Sequence, residues 1–510
     1  MKTIFISFIA ILVVQFSFAQ EPADALRLSR TSDQGGTARN QAIGGAGASL
    51  GGEFTSLFIN PAGLGFYKTG DFVFTPSYSL KNNKSGYLGK TESASKNNFN
   101  LGATGFVFAM PSENKKIKSV AIGIGYRKVA DFNNYVYYKG TNTKSSYSEK
   151  YLEELIDNNA TDPNKAQNDF PYTSSLAIRT YLVDPTYNAD STVSGYSSQA
   201  NPAYGLIQEN TIRTSGGISE LSLGGAVNVK DKWYFGGTLT VPFIKYDRQS
   251  SFKESDASGN LNNRFNYFEA GESLNTTGIG INLKLGMIYK PVEYVRLGLA
   301  IHTPTYYELT DNYSTSLVTD LEGYGGAGLK QISSLDLTDG QPLVSKYSIT
   351  TPWKFIGSAS YVFREVQDVR GQRAFITADV EYLNYKGSAF HATSGDAEGS
   401  TYYGSVNKSI DNLYKNAINV KVGGEVKFNT LMFRLGGAYY GNPYQNESAS
   451  ITKISGGLGY RNRGMFLDLT YVYSLDKDIN YPYQLNDKPN SPASLRNTGG
   501  NIFATLGFKF

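Results

Sequence analysis

The sequence has no cysteine and only two histidines among its 510 residues. Without cysteine, a disulfide-stapled fold, thiol catalysis and a thiolate zinc site are excluded. Two histidines are too few for a histidine-rich metal centre, and a hydrolase would lack an obvious nucleophile–base pair. We therefore expect no metal site, no cofactor and no enzymatic activity.

Charged residues are scarce as well, at 18% of the chain, against about a quarter in ordinary soluble domains. The 48 basic and 44 acidic residues give a net charge of +4, without a basic tract, so nucleic acid is a poor candidate partner. A mean hydropathy of −0.32 excludes a bundle of membrane helices. It does not exclude a membrane β-barrel, whose strands are apolar on one face only.

One apolar run stands out, at residues 4–14, after the positively charged start Met1-Lys2 and before the small-residue stretch Ser17 to Ala19. The run is shorter than the roughly 20 residues that cross a bilayer as a helix. The pattern predicts a signal peptide over residues 1–19, cleaved before Gln20, and therefore export.

Beyond residue 70 the apolar residues recur every second position. In each of the segments 279–289, 418–428 and 465–475, apolar and aromatic side chains alternate with polar or charged ones. Because successive side chains of a strand point to opposite faces, each segment has one apolar and one polar face. The segments are longer than the strands of most soluble sandwiches, and tyrosine and phenylalanine recur at their ends, as in the aromatic girdles of membrane barrels.

Fourteen strand candidates follow from this pattern, and they lie at 71–80, 97–110, 117–130, 216–229, 232–246, 275–290, 292–303, 346–364, 371–386, 413–428, 431–441, 450–461, 464–475 and 497–510. Short turns alternate with long polar links, the longest at 131–215. Outer-membrane barrels sort their connections in this way, whereas sandwiches have no reason to. We therefore predict an all-β fold, a 14-stranded antiparallel transmembrane β-barrel over residues 71–510, in the bacterial outer membrane.

Residues 20–70 differ from the rest of the chain because they are rich in small residues and lack a sustained strand period. Their glycines include Gly44, Gly45, Gly47, Gly51 and Gly52, and the stretch ends with Asn60, Pro61, Ala62 and Gly63. A flexible leader is one interpretation, but the large apolar residues at 54–59 would be wasted in it. We favour a compact N-terminal hatch that plugs the lumen, since a barrel of this size would otherwise be open to water.

The hatch sequence resembles the FadL/TodX family of outer-membrane transporters of long-chain fatty acids and hydrophobic compounds. The segments that carry the resemblance are Leu26 to Arg39, Gly44 to Gly52, Phe58 to Leu64 and, more loosely, Thr351 to Phe355, Phe433 to Tyr440 and Ser455 to Arg461. The resemblance implies a 14-stranded barrel, a hatch, capture of a hydrophobic ligand at the outer mouth and lateral exit into the membrane. The link 131–215 departs from the better-known members of the family, so their ligand-contacting positions cannot be placed in it.

Four basic residues are candidates for attracting a ligand carboxylate in the lumen: Arg296, Arg434, Lys421 and Lys284. They could equally line a polar bore together with its acidic residues. For lateral exit a strand must bend away from its neighbour, and Gly123 and Gly125 in the third strand permit such a bend.

Two functions stay open at this point. The first is passive uptake of a hydrophobic small molecule, and the second is a non-transporting barrel that serves protein secretion or surface attachment, or that acts as a haem receptor through His302 or His391. Phe510 ends an amphipathic strand and looks like the signal read by the barrel assembly machinery. Besides that machinery, the expected partners are the ligand and outer-membrane lipid, and we expect a monomer.

Overall fold

The computed structural model describes residues 20–30, 34–326, 328–363, 373–446 and 449–510. The predicted signal peptide, residues 1–19, lies outside the described residues. The strands are β1 (Asp71–Tyr87), β2 (Lys90–Pro111), β3 (Ile117–Asp131), β4 (Asn134–Asn142), β5 (Val183–Tyr187), β6 (Val193–Ser198), β7 (Leu206–Val229), β8 (Trp233–Asp256), β9 (Tyr267–Val292), β10 (Val295–His302), β11 (Tyr306–Asp320), β12 (Lys330–Ser333), β13 (Leu343–Thr350), β14 (Lys354–Phe363), β15 (Ala374–Asn384), β16 (Ala389–Ala392), β17 (Asn416–Phe428), β18 (Leu431–Tyr440), β19 (Ile451–Asn462), β20 (Met465–Asn480) and β21 (Ala493–Lys509).

Antiparallel pairing closes these strands into a barrel. Four positions in the wall are each filled by two strands separated by a short break: β3 with β4, β10 with β11, β13 with β14, and β15 with β16. With these pairs counted once, the wall has fourteen strands, and β21 pairs with β1 to close it. The fourteen predicted strands and the closed antiparallel barrel are thus confirmed.

The alternation seen in the sequence places apolar side chains on the outer face of the barrel and polar or small side chains on its inner face. On β20, Leu467, Leu469 and Tyr471 are about half exposed on the outer face, whereas Asp468 and Thr470 between them are buried. The same arrangement on the neighbouring strands produces a continuous outer belt of apolar residues, which we call the apolar belt.

Many strands continue beyond the apolar belt at the end of the barrel that carries the long links, here called the loop end. The predicted link 131–215 contains β4, the hairpin β5–β6 and the first part of β7, and the predicted link 247–274 is largely strand. Above the belt the outer faces of the strands are largely polar, and the inner faces carry both polar and apolar residues. The period-two signal that marks a strand is therefore lost there.

The described helices are short: α1 (Pro22–Ser29), α2 (Ala38–Ala42), α3 (Ser56–Ile59), α4 (Glu149–Asp157), α5 (Pro163–Asp169), α6 (Ser174–Arg179), α7 (Ser334–Leu337) and α8 (Ala397–Leu413). Within the described residues, no helix has both the length and the apolar character needed to cross a membrane. The helices α4–α6 pack on inward residues of the upper wall, including Phe252, Phe268 and Leu317, and cover one side of the loop end. The other side is covered by α8, whose Tyr403, Val406 and Ile410 share a buried cluster with α1.

Candidate functional site

Residues 34–70, the N-terminal segment, pack against the inner face of the wall. Phe54, Leu57 and Leu64 are fully buried in one cluster with inward residues of the first strands, such as Val107 and Ala121. The short α2 contacts β18 to β21, and the turn Pro61–Phe66 contacts β7 to β9. The segment therefore contacts opposite sides of the wall.

Glycines let the segment and the wall approach each other at backbone distance. Gly44, Gly45, Gly51 and Gly52 all have positive φ, between +66° and +77°, which glycine adopts without strain. A Cβ on Gly44 would lie 2.6 Å from the carbonyl oxygen of Gly437 in β18. The glycine cluster found in the sequence thus lies where turns are tightest and the wall is nearest.

Polar contacts fix this part of the segment in position. The backbone N–H groups of Gly47 and Ala48 both donate to the Asp379 carboxylate, at 2.9 and 3.1 Å. The Ser49 hydroxyl lies 2.7 Å from that of Ser358. A carboxylate that accepts two adjacent N–H groups holds a backbone turn firmly.

The motif Asn60-Pro61-Ala62-Gly63 begins the next turn and joins it to β9 and β10. The Asn60 side-chain oxygen accepts from the Ala62 N–H at 3.2 Å, which starts the turn. Its amide nitrogen donates to the Ala48 carbonyl at 2.6 Å and, at 3.3 Å each, to the carbonyls of Met287 and Leu299. One side chain therefore ties both ends of the segment to two neighbouring strands. Gly63 lies against Ser56, whose hydroxyl would be 2.5 Å from an added Cβ.

Three of the four predicted lumenal cations form buried ion pairs with acidic residues of the wall. Lys284 lies 2.8 Å from Glu220, which also pairs with Arg127 at 2.6 Å, and Lys421 lies 2.6 Å from Glu381. All of these side chains are nearly inaccessible. In this structure their charges neutralise one another.

Arg434 forms the third such pair and connects the wall to the N-terminal segment. It lies 2.6 Å from Glu425 and 2.6 Å from Asp468, and Arg39 of α2 lies 3.2 Å from the same Glu425. The fourth predicted cation, Arg296, donates to the Leu50 carbonyl of the segment. The four positions thus lie against or beside the segment rather than along an open channel.

The two histidines have different surroundings. His302 is hydrogen-bonded through Nε2 to the Ile59 carbonyl at 2.7 Å, so one ring nitrogen is occupied by the N-terminal segment. His391 is exposed in β16 and lies 3.2 Å from the Thr350 hydroxyl. The structure does not bring them together.

The wall has a seam between β2 and β3. Pairing runs from Pro111 to Ala103, which is opposite Arg127, and no described residue of Lys90–Gly102 pairs with β3 or β4. Above Arg127 the chain bends inward, so that β4 lies behind β1, where inward-facing Lys81 donates to the backbone carbonyl of Asp131 at 2.9 Å. The edges of β2 and β3 separate at this point.

The N-terminal segment crosses this seam. The Gln34 N–H donates to the Val129 carbonyl at 3.2 Å, and the Asp131 N–H donates to the Gln34 side chain at 2.8 Å. Next to it, a Cβ on Gly35 would overlap the Lys128 carbonyl and lie 2.9 Å from the Gly102 carbonyl. Only glycine fits between the two edges.

Gly123 and Gly125 lie below the seam, on the inner face of β3, where both accommodate the N-terminal segment. An added Cβ on Gly123 would lie 3.5 Å from Leu57, and one on Gly125 would overlap Phe54. The strand leaves β2 beyond Gly125. A sequence signal for the bend does exist: Val129 and Ala130 are adjacent, apolar and both buried, which breaks the period of two and coincides with a register shift against β7.

A cavity of about 70 Å³ lies at the loop end between α4 and the inner wall, and we call it the mouth cavity. Its lining is rich in tyrosine: Tyr147, Tyr151, Tyr172 and Tyr313. At its rim the exposed Lys150 ammonium lies 5.6 Å from the centre of the Tyr147 ring. The cavity combines aromatic walls with a charge at the opening. Residues 131–215 supply half of its lining residues, in a link where the sequence could not place ligand contacts.

Apolar residues lie between the loop end and the seam. Ala25, Leu26 and Leu28 of α1 share a buried cluster with Val129 and Ala130 of β3. The N-terminus of this helix is held by α8, since the Tyr403 hydroxyl donates to the Gln20 side chain at 3.1 Å. The helix thus lies directly inside the upper part of the seam.

This arrangement is similar to two solved structures. A crystal structure of a Pseudomonas aeruginosa FadL homologue is 13% identical, with 93% of this chain and 98% of that chain covered and a TM-score of 0.53. This chain has the FadL-like barrel fold. The P. putida toluene transporter TodX is also 13% identical, with 94% and 99% of the two chains covered and a TM-score of 0.52. No family model and no curated protein matches the sequence.

Proposed function

We propose that this FadL-like barrel is a passive transporter of the bacterial outer membrane that takes up hydrophobic small molecules of the long-chain fatty-acid or hydrocarbon class. Residues 1–19 would be its cleaved signal peptide, residues 20–70 its hatch and residues 71–510 its barrel. The resemblance to the FadL homologue and to the toluene transporter supports this substrate class. The apolar belt and its aromatic edge, where Trp233 stacks on Tyr289 at 4.1 Å, support a membrane location.

The seam between β2 and β3 is the observation that carries the proposal. A wall held by continuous strand pairing has no opening, because every backbone N–H and C=O is used. At the seam the pairing stops at Ala103 and Arg127, and a short glycine-containing piece of the segment fills the space. A hydrophobic molecule leaving here would pass sideways through the wall and reach lipid without crossing water.

An axial route down the bore is the competing path. It would require moving α2 and the turn Pro61–Phe66, which are fixed by the Arg39–Glu425 ion pair and by the three carbonyl contacts of Asn60. Breaking buried ion pairs and hydrogen bonds is costly. Moving Gln34 and Gly35 costs far less, because two hydrogen bonds hold them at the seam.

Capture of the ligand is assigned to the mouth cavity. Its tyrosines would contact an apolar ligand, and Lys150 would attract a carboxylate at the rim. From there the apolar cluster around α1 leads to the seam. The four buried cations Arg296, Arg434, Lys421 and Lys284 stabilise the hatch in this proposal, because three of them pair with acidic residues of the wall and Arg296 donates to the Leu50 carbonyl.

The natural absence of cysteine makes a crosslinking test clean. Gln34→Cys with Val129→Cys would lock the segment onto the edge of β3, whereas Ser49→Cys with Ser358→Cys would lock it to the wall elsewhere. Both pairs are compared, oxidised and reduced, for uptake of a fluorescent long-chain fatty acid by cells that lack another route.

Lateral exit predicts that oxidation stops uptake only in the Gln34–Val129 pair, and that reduction restores it. If the Ser49–Ser358 crosslink also stops uptake, the hatch must move and the axial route is correct. Absence of uptake by the unmodified protein, together with absence of fatty-acid binding, would leave the non-transporting barrel as the function.

A further inference from the structure

A trough of about 380 Å³ lies at the loop end on the outer face of the wall, and it shares Gly271, Glu272, Thr315 and Ser316 with the lining of the mouth cavity. Its lining residues come from strands β7, β8, β9 and β11, and from Ser333 at the end of β12. The pairing of these strands puts eight of the twelve lining residues into two straight rows, and Ser250, Glu272 and Thr315 lie between the rows. Glu272 is paired with Arg248 at 3.1 Å.

The first row consists of Thr211, Ser251, Gly271 and Ser316, which are direct neighbours on β7, β8, β9 and β11. Gly271 has the same parity on β9 as Ile279 of the apolar belt, so the row faces outward. Because all four side chains are small, the surface is depressed along this row.

The second row, one step closer to the belt, consists of Arg213, Gln249, Ser273 and Ser314. It adds an amide and a guanidinium to the hydroxyls of the first row. Among the described residues Arg213 has no acidic partner within ion-pair distance, and its guanidinium lies 5.2 Å from the Tyr135 ring centre.

Aromatic rings form one edge of the trough. Tyr135 and Tyr137 of β4 are the pairing neighbours of Arg213 and Thr211, so they extend the two rows by one strand. Tyr137 is held in place because its hydroxyl donates to Glu209 at 2.9 Å. Tyrosine presents a broad apolar ring with a polar tip.

The height of the trough above the belt is set by β9. Ser273 lies six residues beyond Ile279, which is about 20 Å along the strand at 3.3 Å per residue, and less along the membrane normal because barrel strands are tilted. The trough therefore faces the layer just outside the hydrocarbon, provided that the proposed outer-membrane location holds.

We propose that this trough binds a saccharide, and that in the outer membrane it binds the saccharide portion of lipopolysaccharide. Sugars carry closely spaced hydroxyl groups, which serine, threonine and glutamine can match as both donors and acceptors. Their C–H faces pack on tyrosine rings, and Arg213 would bind an anionic substituent. The flat array of small polar side chains leaves room for the rings.

The test uses the full-length protein in phospholipid nanodiscs with and without purified lipopolysaccharide, and native mass spectrometry counts the lipopolysaccharide that stays bound. Ser273→Phe fills the trough and Arg213→Gln removes its charge. Thr277→Phe is the matched control, because it also faces outward on β9 but lies outside the lining. We expect Ser273→Phe to lower retention about tenfold, Arg213→Gln to lower it less, and Thr277→Phe to leave it unchanged.

A second arm separates the sugar from its lipid anchor. The soluble core oligosaccharide is titrated onto protein in nanodiscs without lipopolysaccharide. Binding that Ser273→Phe abolishes shows that the trough recognises the sugar itself, and binding of the intact lipid alone shows that the anchor is needed to hold the sugar there. Equal retention of lipopolysaccharide by the wild type and Ser273→Phe overturns the proposal.

Uptake of the fluorescent fatty acid is measured on the same variants. Ser273→Phe should transport normally, because Ser273 faces outward on β9 and does not line the mouth cavity. A failure of uptake in the wild type would count against the transport function and would leave the saccharide result untouched.

Discussion

The wall formed by β17 to β20 and the wall at β2 and β3 are built from the same kind of strand but differ in pairing. All ten residues of β18 pair with β19, and nine of them pair with β17 as well. On β2 only Ala103–Pro111 pair with β3, although the strand begins at Lys90. The difference shows that the hydrogen-bond ladder is continuous along β18 and ends part-way along β2.

The largest effect should come from damaging the regular wall at its buried charge cluster. Arg434→Met would leave Glu425 and Asp468 with less compensation, and breaking a buried pair in this way costs about 3–5 kcal/mol. We expect the temperature at which the folded band converts on a semi-native gel to fall clearly. Arg463→Met, in the exposed turn after β19, is the control and should convert at the wild-type temperature.

The upper end of the seam should respond to pH. Glu254, in the part of β8 above the apolar belt, is fully buried, accepts from the Tyr147 N–H and from Gln208 at 2.7 Å each, and has no basic partner. Burial is the main cause that raises its pKa to about 7. Gln208 in turn accepts from the Tyr87 hydroxyl of β1 at 2.6 Å, so the same network fastens the top of the seam.

A carboxyl group whose pKa is raised in the folded state binds more protons there than when it is exposed. Its site is therefore most stable below the ordinary pKa of 4.5 and loses stability as the pH rises toward and beyond 7, by about 3 kcal/mol in all. Hydrogen exchange of residues 143–148 should accelerate from pH 5 to pH 8 after correction for the intrinsic rate. Glu254→Gln should remove this dependence, and Glu92→Gln, at a partly exposed position on β2, should keep it.

A smaller effect distinguishes the seam from the regular wall at two glycines. An added Cβ on Gly35 overlaps the Lys128 carbonyl, and one on Gly436 in β18 overlaps Gly44. At the seam the segment can move away, so Gly35→Ala should make a Val129→Cys thiol react about tenfold faster with a maleimide and should change stability little. In the regular wall the backbone around Gly436 cannot move away, so Gly436→Ala should lower the free energy of unfolding by about 1–3 kcal/mol.

Gly357→Ala is the control for both variants, because a Cβ there meets no atom within 4 Å. If Gly35→Ala leaves the labelling rate of Val129→Cys unchanged, then residues 34–36 do not cover the edge of β3 in solution.

The least perturbing comparison of the seam with the regular wall is hydrogen exchange of the backbone amides in the unaltered protein. Amides of Lys90–Gly102 that point away from β1 have no strand partner, so they should exchange within seconds, whereas those of β18 should stay protected. Mass spectrometry of overlapping peptides measures both regions in one experiment. Equal protection of the two strands would mean that the seam is paired in solution.

The fourteen strands could be predicted because an apolar outer face and a polar or small-residue inner face give the sequence a period of two. Segments such as Lys81–Tyr87 of β1 could not, because both faces of this segment are largely polar. The pairing of Arg434 with Asp468 could not be predicted either, because it depends on the register of strands that are far apart in the sequence. Gly123 and Gly125 mark close packing, while the bend that follows them depends on a register shift at Val129.

The mouth cavity escaped prediction for a different reason. Tyr147 lies in the turn before α4 and Tyr151 lies in the helix itself, but the cavity exists only because α4 docks on β9 and β11. That docking is set by tertiary packing.

The contacts of Ala38, whose N–H donates to Thr505 of β21 at 2.7 Å, carry a consequence for biogenesis. Thr505 belongs to β21, which closes the barrel by pairing with β1, whereas Ala38 precedes β1 in the sequence. An N-terminal segment that is bonded at so many points to opposite sides of the wall could not be inserted into a barrel that had already closed. The barrel must instead form around this segment. The pairing of β1 with β21 is therefore a late step that completes assembly.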